Sequence, residues 1–169
     1  MQAHLALVNP KSPQNMGSIL RAAGCYQVKT IRYTGQRYAR ASAFFTDTKN
    51  AHLNIPITQV PEVIDLDADK GLVKVGIELV EGACPLPSFN HPDDALYIFG
   101  PEDGSLSQDV VNQCDHVVYI PTIGCMNLAA TVNVLLYDRL AKTGTMPDDD
   151  QVILNSRDTN NRTKFVKAT

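Results

Sequence analysis

Apolar positions along the chain fall into short runs whose period switches between two and about four. Residues 3–8 (AHLALV) and 95–99 (ALYIF) are apolar almost throughout, and residues 72–80 and 116–120 are similar. Such runs predict short strands buried on both faces. Residues 28–33 (VKTIRY) alternate and predict another strand. Met16, Ile19, Leu20 and Ala23 recur at helical spacing, which predicts a helix from Asn15 to about Tyr26, with Asn15 or Ser12 near its N-cap. Leu128, Val132, Leu135, Leu136 and Leu140 define a second helix over 127–142, closed by Gly144 and Pro147. Shorter helices are expected at 37–45 and at 105–113, the latter capped by Ser105 or Ser107. A short strand at 54–58 and a helical turn at 61–68 complete the pattern.

Apolar strands alternating with helices imply an α/β fold, a mostly parallel sheet covered by helices on both faces. Ligands of such sheets bind beyond the carboxyl ends of the strands. The loops 80–92, 100–105 and 121–127 fall there. Residues 1–147 read as one domain. Residues 148–169 read as a basic, extended or partly ordered tail.

Composition narrows the class further. The chain has 169 residues, 44% hydrophobic and 20% charged, which excludes disordered, collagenous and coiled-coil classes. No apolar run reaches the roughly 18 residues of a membrane span, and the start lacks a signal-peptide pattern. No membrane partner is expected. Cys25, Cys84, Cys114 and Cys125 form no Cys-x-x-Cys pair and have no His at zinc-ligand spacing. No metal is expected, and free thiols suit a reducing, cytoplasmic setting.

The net charge of −3 is unevenly placed. Between positions 1 and 50, Lys11, Arg21, Lys29, Arg32, Arg37, Arg40 and Lys49 face Asp47 alone. The middle of the chain is acidic, and the tail carries Arg157, Arg162, Lys164 and Lys167. Gathered on one face, these cations would suit a polyanion such as RNA; scattered, they form an ordinary solvated surface.

The chain lacks G-x-G-x-x-G after its first strand, the P-loop pattern and the G-x-S-x-G elbow. Three other segments stand out. Asn15-x-Gly17-x-x-x-Arg21-Ala22 opens a helix; its plain reading is an N-cap and a surface arginine. Gly100-Pro101-Glu102-Asp103-Gly104 follows an apolar strand, where Gly100 admits close approach and the acids can hold a polar ligand; its plain reading is a tight turn. Ile120-Pro121 followed by Cys125-Met126-Asn127-Leu128 joins a strand to a helix mouth, whose free N–H groups suit an anion; its plain reading is a βα connection.

In this order, the three segments resemble the motifs of the SpoU (TrmH-type) RNA 2′-O-ribose methyltransferases of the SPOUT superfamily, over residues 5 to 142. The resemblance implies a C-terminal deep trefoil knot, S-adenosylmethionine as cofactor, and a homodimer with the active site at its interface. It implies cofactor contacts at Leu79, Gly100, Glu102, Ile120, Cys125 and Met126, and catalytic roles for Arg21, Asn15 and Asn127. The apolar faces of the 15–26 and 127–142 helices would supply the dimer interface. The family's third motif usually opens with Ser, where this chain has Cys125. With no further RNA-binding domain, the chain resembles minimal members, so tRNA is the expected substrate ahead of rRNA. Arg32, Arg37 and Arg40, with Arg157, Arg162 and Lys164, are the candidate RNA contacts. Two rival readings remain: a non-catalytic RNA-binding protein, and a hydrolase pairing Cys125 with His91 or His116.

Overall fold

The computed structural model describes residues 2–42, 55–143 and 150–165. Seven strands form one sheet: β1 (Gln2–Leu7), β2 (Thr30–Tyr33), β3 (Ile57–Gln59), β4 (Val73–Ile77), β5 (Cys84–Pro85), β6 (Asp94–Phe99) and β7 (His116–Tyr119). Their order is β3-β2-β1-β6-β4-β7-β5, and every pairing is parallel. The helices are α1 (Pro13–Cys25), α2 (Arg37–Ser42), α3 (Gln108–Asn112), α4 (Leu128–Thr143) and α5 (Asp150–Ser156).

The pleat sorts the apolar strand residues onto two faces. Leu5, Leu7, Val75, Ile77, Tyr97 and Phe99 pack in one cluster with Met16, Ile19 and Leu20 of α1 and Val132, Leu135 and Leu136 of α4. Ala6, Leu96 and Ile98 face the other way, against Val63, Ile64, Leu106 and the α3 residues Val110 and Val111. Helices and a connecting segment therefore cover both faces, as the apolar runs predicted.

One expectation is corrected here. The apolar faces of α1 and α4, expected at a subunit interface, are used within the chain: Met16, Ile19, Leu135 and Leu136 are buried where the two helices pack on each other and on the sheet. Each such leucine contributes about 2 kcal/mol by leaving water.

Other boundaries shift for local reasons. Ser12, not Asn15, caps α1: its hydroxyl accepts the Asn15 N–H at 3.2 Å, and Pro13 opens the helix. Ser107, not Ser105, caps α3. β4 stops at Ile77, short of the predicted 80. Residues 61–68 form turns, with the Asp65 carboxylate accepting the N–H groups of Asp67 and Ala68. The tail contains a helix, α5, despite Val152, Ile153 and Leu154 being exposed. The expected end of the 37–45 helix, the start of the 54–58 strand, the stop at Gly144 and Pro147, and the 147/148 boundary lie outside the described residues.

The segment between β4 and β6 runs past β7 to place β5 at the sheet edge, then returns. On its way back it is gripped by α4. Arg139 is buried and donates to the carbonyls of Pro92 and Asp93, each at 2.6 Å, and to the Tyr97 hydroxyl at 2.9 Å. Lys142 Nζ donates to the carbonyls of Leu86 and Phe89. His91 lies between Tyr97 Oη (2.7 Å) and Asp138 Oδ2 (2.9 Å).

With a neutral His91 ring the proton positions follow from its two partners. Asp138 only accepts, so His91 Nε2 donates; Nδ1 then accepts from Tyr97 O–H, whose oxygen accepts from Arg139. Burial pushes the His91 pKa down, beyond what the Asp138 hydrogen bond and charge restore. Burial likewise pushes the Tyr97 pKa up to about 12. An unfolded His91 binds a proton near pH 6.5, and the folded one only at lower pH. Its share of stability is therefore full above that pH and lost as pH falls below it. Tyr97 acts in the opposite sense: that share falls as pH rises from 10.0 to about 12. Thermal melts should thus show a plateau between these limits. An unchanged midpoint from about pH 7 to about pH 5.5 would contradict a neutral buried His91.

Candidate active site

The carboxyl ends of β4, β6 and β7 open into one cavity of about 280 Å³. That is near the lower bound of small-molecule sites, about 300 Å³. Its walls are Ile77, Glu78 and Leu79 after β4, Phe99 to Glu102 and Gly104 after β6, and Tyr119, Ile120, Thr122 and Gly124 to Leu128 after β7. Asn15 of α1 and Thr131 of α4 complete it. All six expected cofactor contacts, Leu79, Gly100, Glu102, Ile120, Cys125 and Met126, line this one space, as do Asn15 and Asn127.

Glu102 joins two of the three segments. Its Oε2 accepts the Lys11 N–H at 2.8 Å, and its Oε1 accepts the Ser12 N–H at 3.0 Å and the Asn15 side-chain amide at 3.1 Å. Burial alone would raise its pKa. The hydrogen bonds from Ser12, Asn15 and Lys11 outweigh that and hold it below the usual carboxylate range. Glu102 is thus ionised and clamps the loop before α1 onto the loop after β6.

Glu78 was not singled out from the sequence. It ends a run, LVKVGIE, that reads as an ordinary strand exit. Its Oε1 accepts the Leu79 N–H at 2.9 Å, and its Oε2 accepts the Leu106 N–H at 2.8 Å. Each oxygen keeps capacity for another donor on the cavity side. Gly100 leaves room beside it: a Cβ there would lie a tight 3.2 Å from Glu78 Oε2 and from the Leu106 nitrogen.

Asn127 caps α4: its Oδ1 accepts the Ala130 N–H at 2.7 Å. Cys125 is exposed at the cavity wall. Arg21 stands apart. It is exposed on α1, lines no part of the cavity, and has no hydrogen-bond or ion-pair partner among the described residues.

The three arginines expected to contact RNA fare differently. Arg32 does not fit an RNA-facing surface: it is largely buried, and its Nη2 pairs with Asp69 at 2.5 Å, itself only 3% exposed. Arg37 is bonded to Asn9 and Asp103. Arg40 is exposed and donates to Gln36. The hydrolase reading fails on geometry, because neither His91 nor His116 lines the cavity that Cys125 lines. Among the described residues no cluster could hold a metal ion, and no helix is long and apolar enough to cross a membrane.

A parallel sheet with a cavity beyond its carboxyl ends, walled by three converging loops, defines an α/β protein with a candidate small-ligand site at the strand ends. Residues 2–137 match the model of the SpoU rRNA Methylase family, and the chain belongs to that family. It is 30% identical over 139 residues to an uncharacterised tRNA/rRNA methyltransferase of Mycobacterium leprae, covering 78% of this chain and 45% of the relative. A counterpart from Mycobacterium avium is 28% identical at the same coverage. The chain thus spans under half the length of these relatives. Among solved structures, the SpoU methyltransferase AviRb from Streptomyces viridochromogenes in complex with AdoMet has a TM-score of 0.67 at 23% identity, over 83% of this chain and 57% of that one. A structure concerned with 2-OH methylation of C/U34 on tRNA has a TM-score of 0.68 at 20% identity, over 84% of this chain and 91% of that one. At these identities the likeness is one of fold.

Proposed function

We propose that this protein is an S-adenosylmethionine-dependent RNA 2′-O-ribose methyltransferase that acts on tRNA. The observation that carries this reading is the convergence of the three motif segments on one cavity, with Glu102 clamping two of them together. The residues present fit the cofactor. Ile77, Phe99, Met126 and Leu128 offer apolar surface, Gly100 admits close approach of a ligand to the backbone, and Glu78 accepts donors. When bound, the cofactor supplies an electrophilic methyl on a sulfonium.

The acceptor for that methyl would be the oxygen of a ribose 2′-hydroxyl. The hydroxyl proton must leave, and a guanidinium cannot accept it because Arg stays protonated. Arg21 therefore holds the neighbouring phosphate and stabilises the developing alkoxide, while a phosphate oxygen or water takes the proton. Asn15 and Asn127 orient the ribose at the cavity mouth.

The same reading makes the protein a homodimer with the site at its interface. In support, Arg21 is exposed and has no partner among the described residues, and the α4 residues Val134 and Tyr137 are 38% and 56% exposed. The knot belongs to the same reading and would involve the β4–β6 segment that α4 grips.

Methyl-labelled S-adenosylmethionine incubated with bulk tRNA and, separately, rRNA tests this. Label should enter tRNA and be recovered as a 2′-O-methyl dinucleotide. Arg21→Ala should lower turnover about 1,000-fold, the scale of one lost transition-state donor, and Arg21→Lys should not restore it. Label in rRNA alone would overturn the substrate assignment. Near-normal turnover in Arg21→Lys would overturn the bidentate role. Cofactor binding with no RNA methylated would favour a non-catalytic RNA-binding protein.

A further inference from the structure

Arg37 opens α2 and lies outside the cavity lining, yet all three nitrogens of its guanidinium bond to the loops beside it. Nε and Nη2 both donate to the Asn9 carbonyl, at 3.1 and 2.5 Å. Nη1 donates to both carboxylate oxygens of Asp103, each at 2.8 Å. Lys11 adds an ion pair to the same carboxylate at 3.6 Å.

The loop that Arg37 holds is tied down at several points. Asn9 has φ 44°, the left-handed region that asparagine tolerates better than most non-glycine residues. Its N–H donates to Thr34 Oγ1 at 3.1 Å. Its side chain covers Gly35, where a Cβ would fall 2.2 Å from Asn9 Oδ1. Three residues later Ser12 caps α1, whose first turn carries Asn15.

Two adjacent carboxylates of the loop after β6 therefore grip the loop before α1 at separate points. Glu102 takes the N–H groups of Lys11 and Ser12 directly. Asp103 takes the Asn9 carbonyl through Arg37. A lysine could pair with Asp103, but it lacks the planar fork that spans both partners.

We propose that Arg37 is a positioning residue for methyl transfer. By bridging the Asn9 carbonyl and Asp103, it fixes the loop before α1, and so sets where α1 presents Asn15 and Arg21 to the target ribose. The proposal rests on the methyltransferase reading. It gives Arg37 a different task from the RNA contact that the charge pattern alone suggests.

The test uses the full chain with Arg37→Ala, Arg37→Lys, Asp103→Asn and the Arg37→Ala/Asp103→Asn pair. Methyl transfer to bulk tRNA, cofactor binding by calorimetry, thermal melting and amide hydrogen exchange are read together. Misplacing a reacting group by about 1 Å can cost about 100-fold. The expected result is a kcat roughly tenfold to 100-fold lower in Arg37→Ala, with KM for RNA and cofactor Kd within about twofold. Arg37→Lys should not rescue it. The pair should be no worse than either single change, because both break one bridge.

An RNA-phosphate contact would instead raise KM, steepen with salt and be largely restored by lysine; that result overturns the proposal. So does a lowered melting temperature with unchanged kcat well below it. Exchange at the Lys11 and Ser12 amides should quicken in Arg37→Ala while α4 amides stay protected. If the unaltered protein binds no cofactor and methylates no RNA, the functional reading fails. The exchange measurement then still decides the clasp: faster exchange upholds it, and unchanged exchange overturns it.

Discussion

Glu102→Gln should lower methyl transfer about 100-fold while leaving the chain folded. The change keeps the size of the side chain and removes its charge. Three donors now converge on the carboxylate: the N–H groups of Lys11 and Ser12 and the Asn15 amide. A glutamine offers one acceptor oxygen and sets an NH₂ group against a remaining donor. At least one charge-assisted hydrogen bond is lost, about 1.5–3 kcal/mol, and the two like donors push the loops apart. The loop before α1 then swings and carries Asn15 with it. Single-turnover methyl transfer checks this, beside a melt to confirm folding. Since the carboxyl group is held ionised, the unaltered protein should keep this clamp throughout the neutral range. A kcat near that of the unaltered protein in Glu102→Gln would show that the clamp does not position the site.

The second large effect concerns stability. Arg139→Met should destabilise the chain by about 3 kcal/mol, the upper range for a broken buried network. Methionine fills similar apolar space along α4, so little cavity forms. The loss comes from the carbonyls of Pro92 and Asp93 and the Tyr97 hydroxyl, which keep no donor from α4. Tyr97 is fully buried, so water cannot replace the bond there. For a chain of this length the melting temperature should drop by about 10 °C. A drop under about 2 °C would mean that the β4–β6 segment is held without the Arg139 hydrogen bonds.

Those two predictions rest on contacts that differ in how far the sequence announced them. Glu102 was singled out because Gly100-Pro101-Glu102 follows an apolar strand, but its partners lie some 90 positions away. It was expected to touch the cofactor, and it both lines the cavity and clamps a neighbouring loop. Arg139 drew no notice, since a lone arginine on an amphipathic helix reads as solvated. Arg32 misled for the same reason. A cation in an alternating strand looks exposed, yet Asp69, 37 residues on, folds over it. The helix α5 was missed because Val152, Ile153 and Leu154 are consecutive and carry no helical period.

Periodicity predicted α1 and α4 correctly, and predicted that their apolar faces would be covered. It could not say by what: both faces are used inside the chain. Sequence by itself determined the parallel α/β architecture and the three loops that follow β4, β6 and β7. These are local matters of side-chain period, glycine, proline and caps, encoded within a few residues. Only the tertiary structure decided which loops share a cavity and which charges are paired. Pairing depends on residues distant in the chain meeting across a sheet, and a one-dimensional pattern holds no record of that distance. Lys11, Arg32 and Arg37 are alike as letters, and their different tasks come from the acids that the fold brings against them.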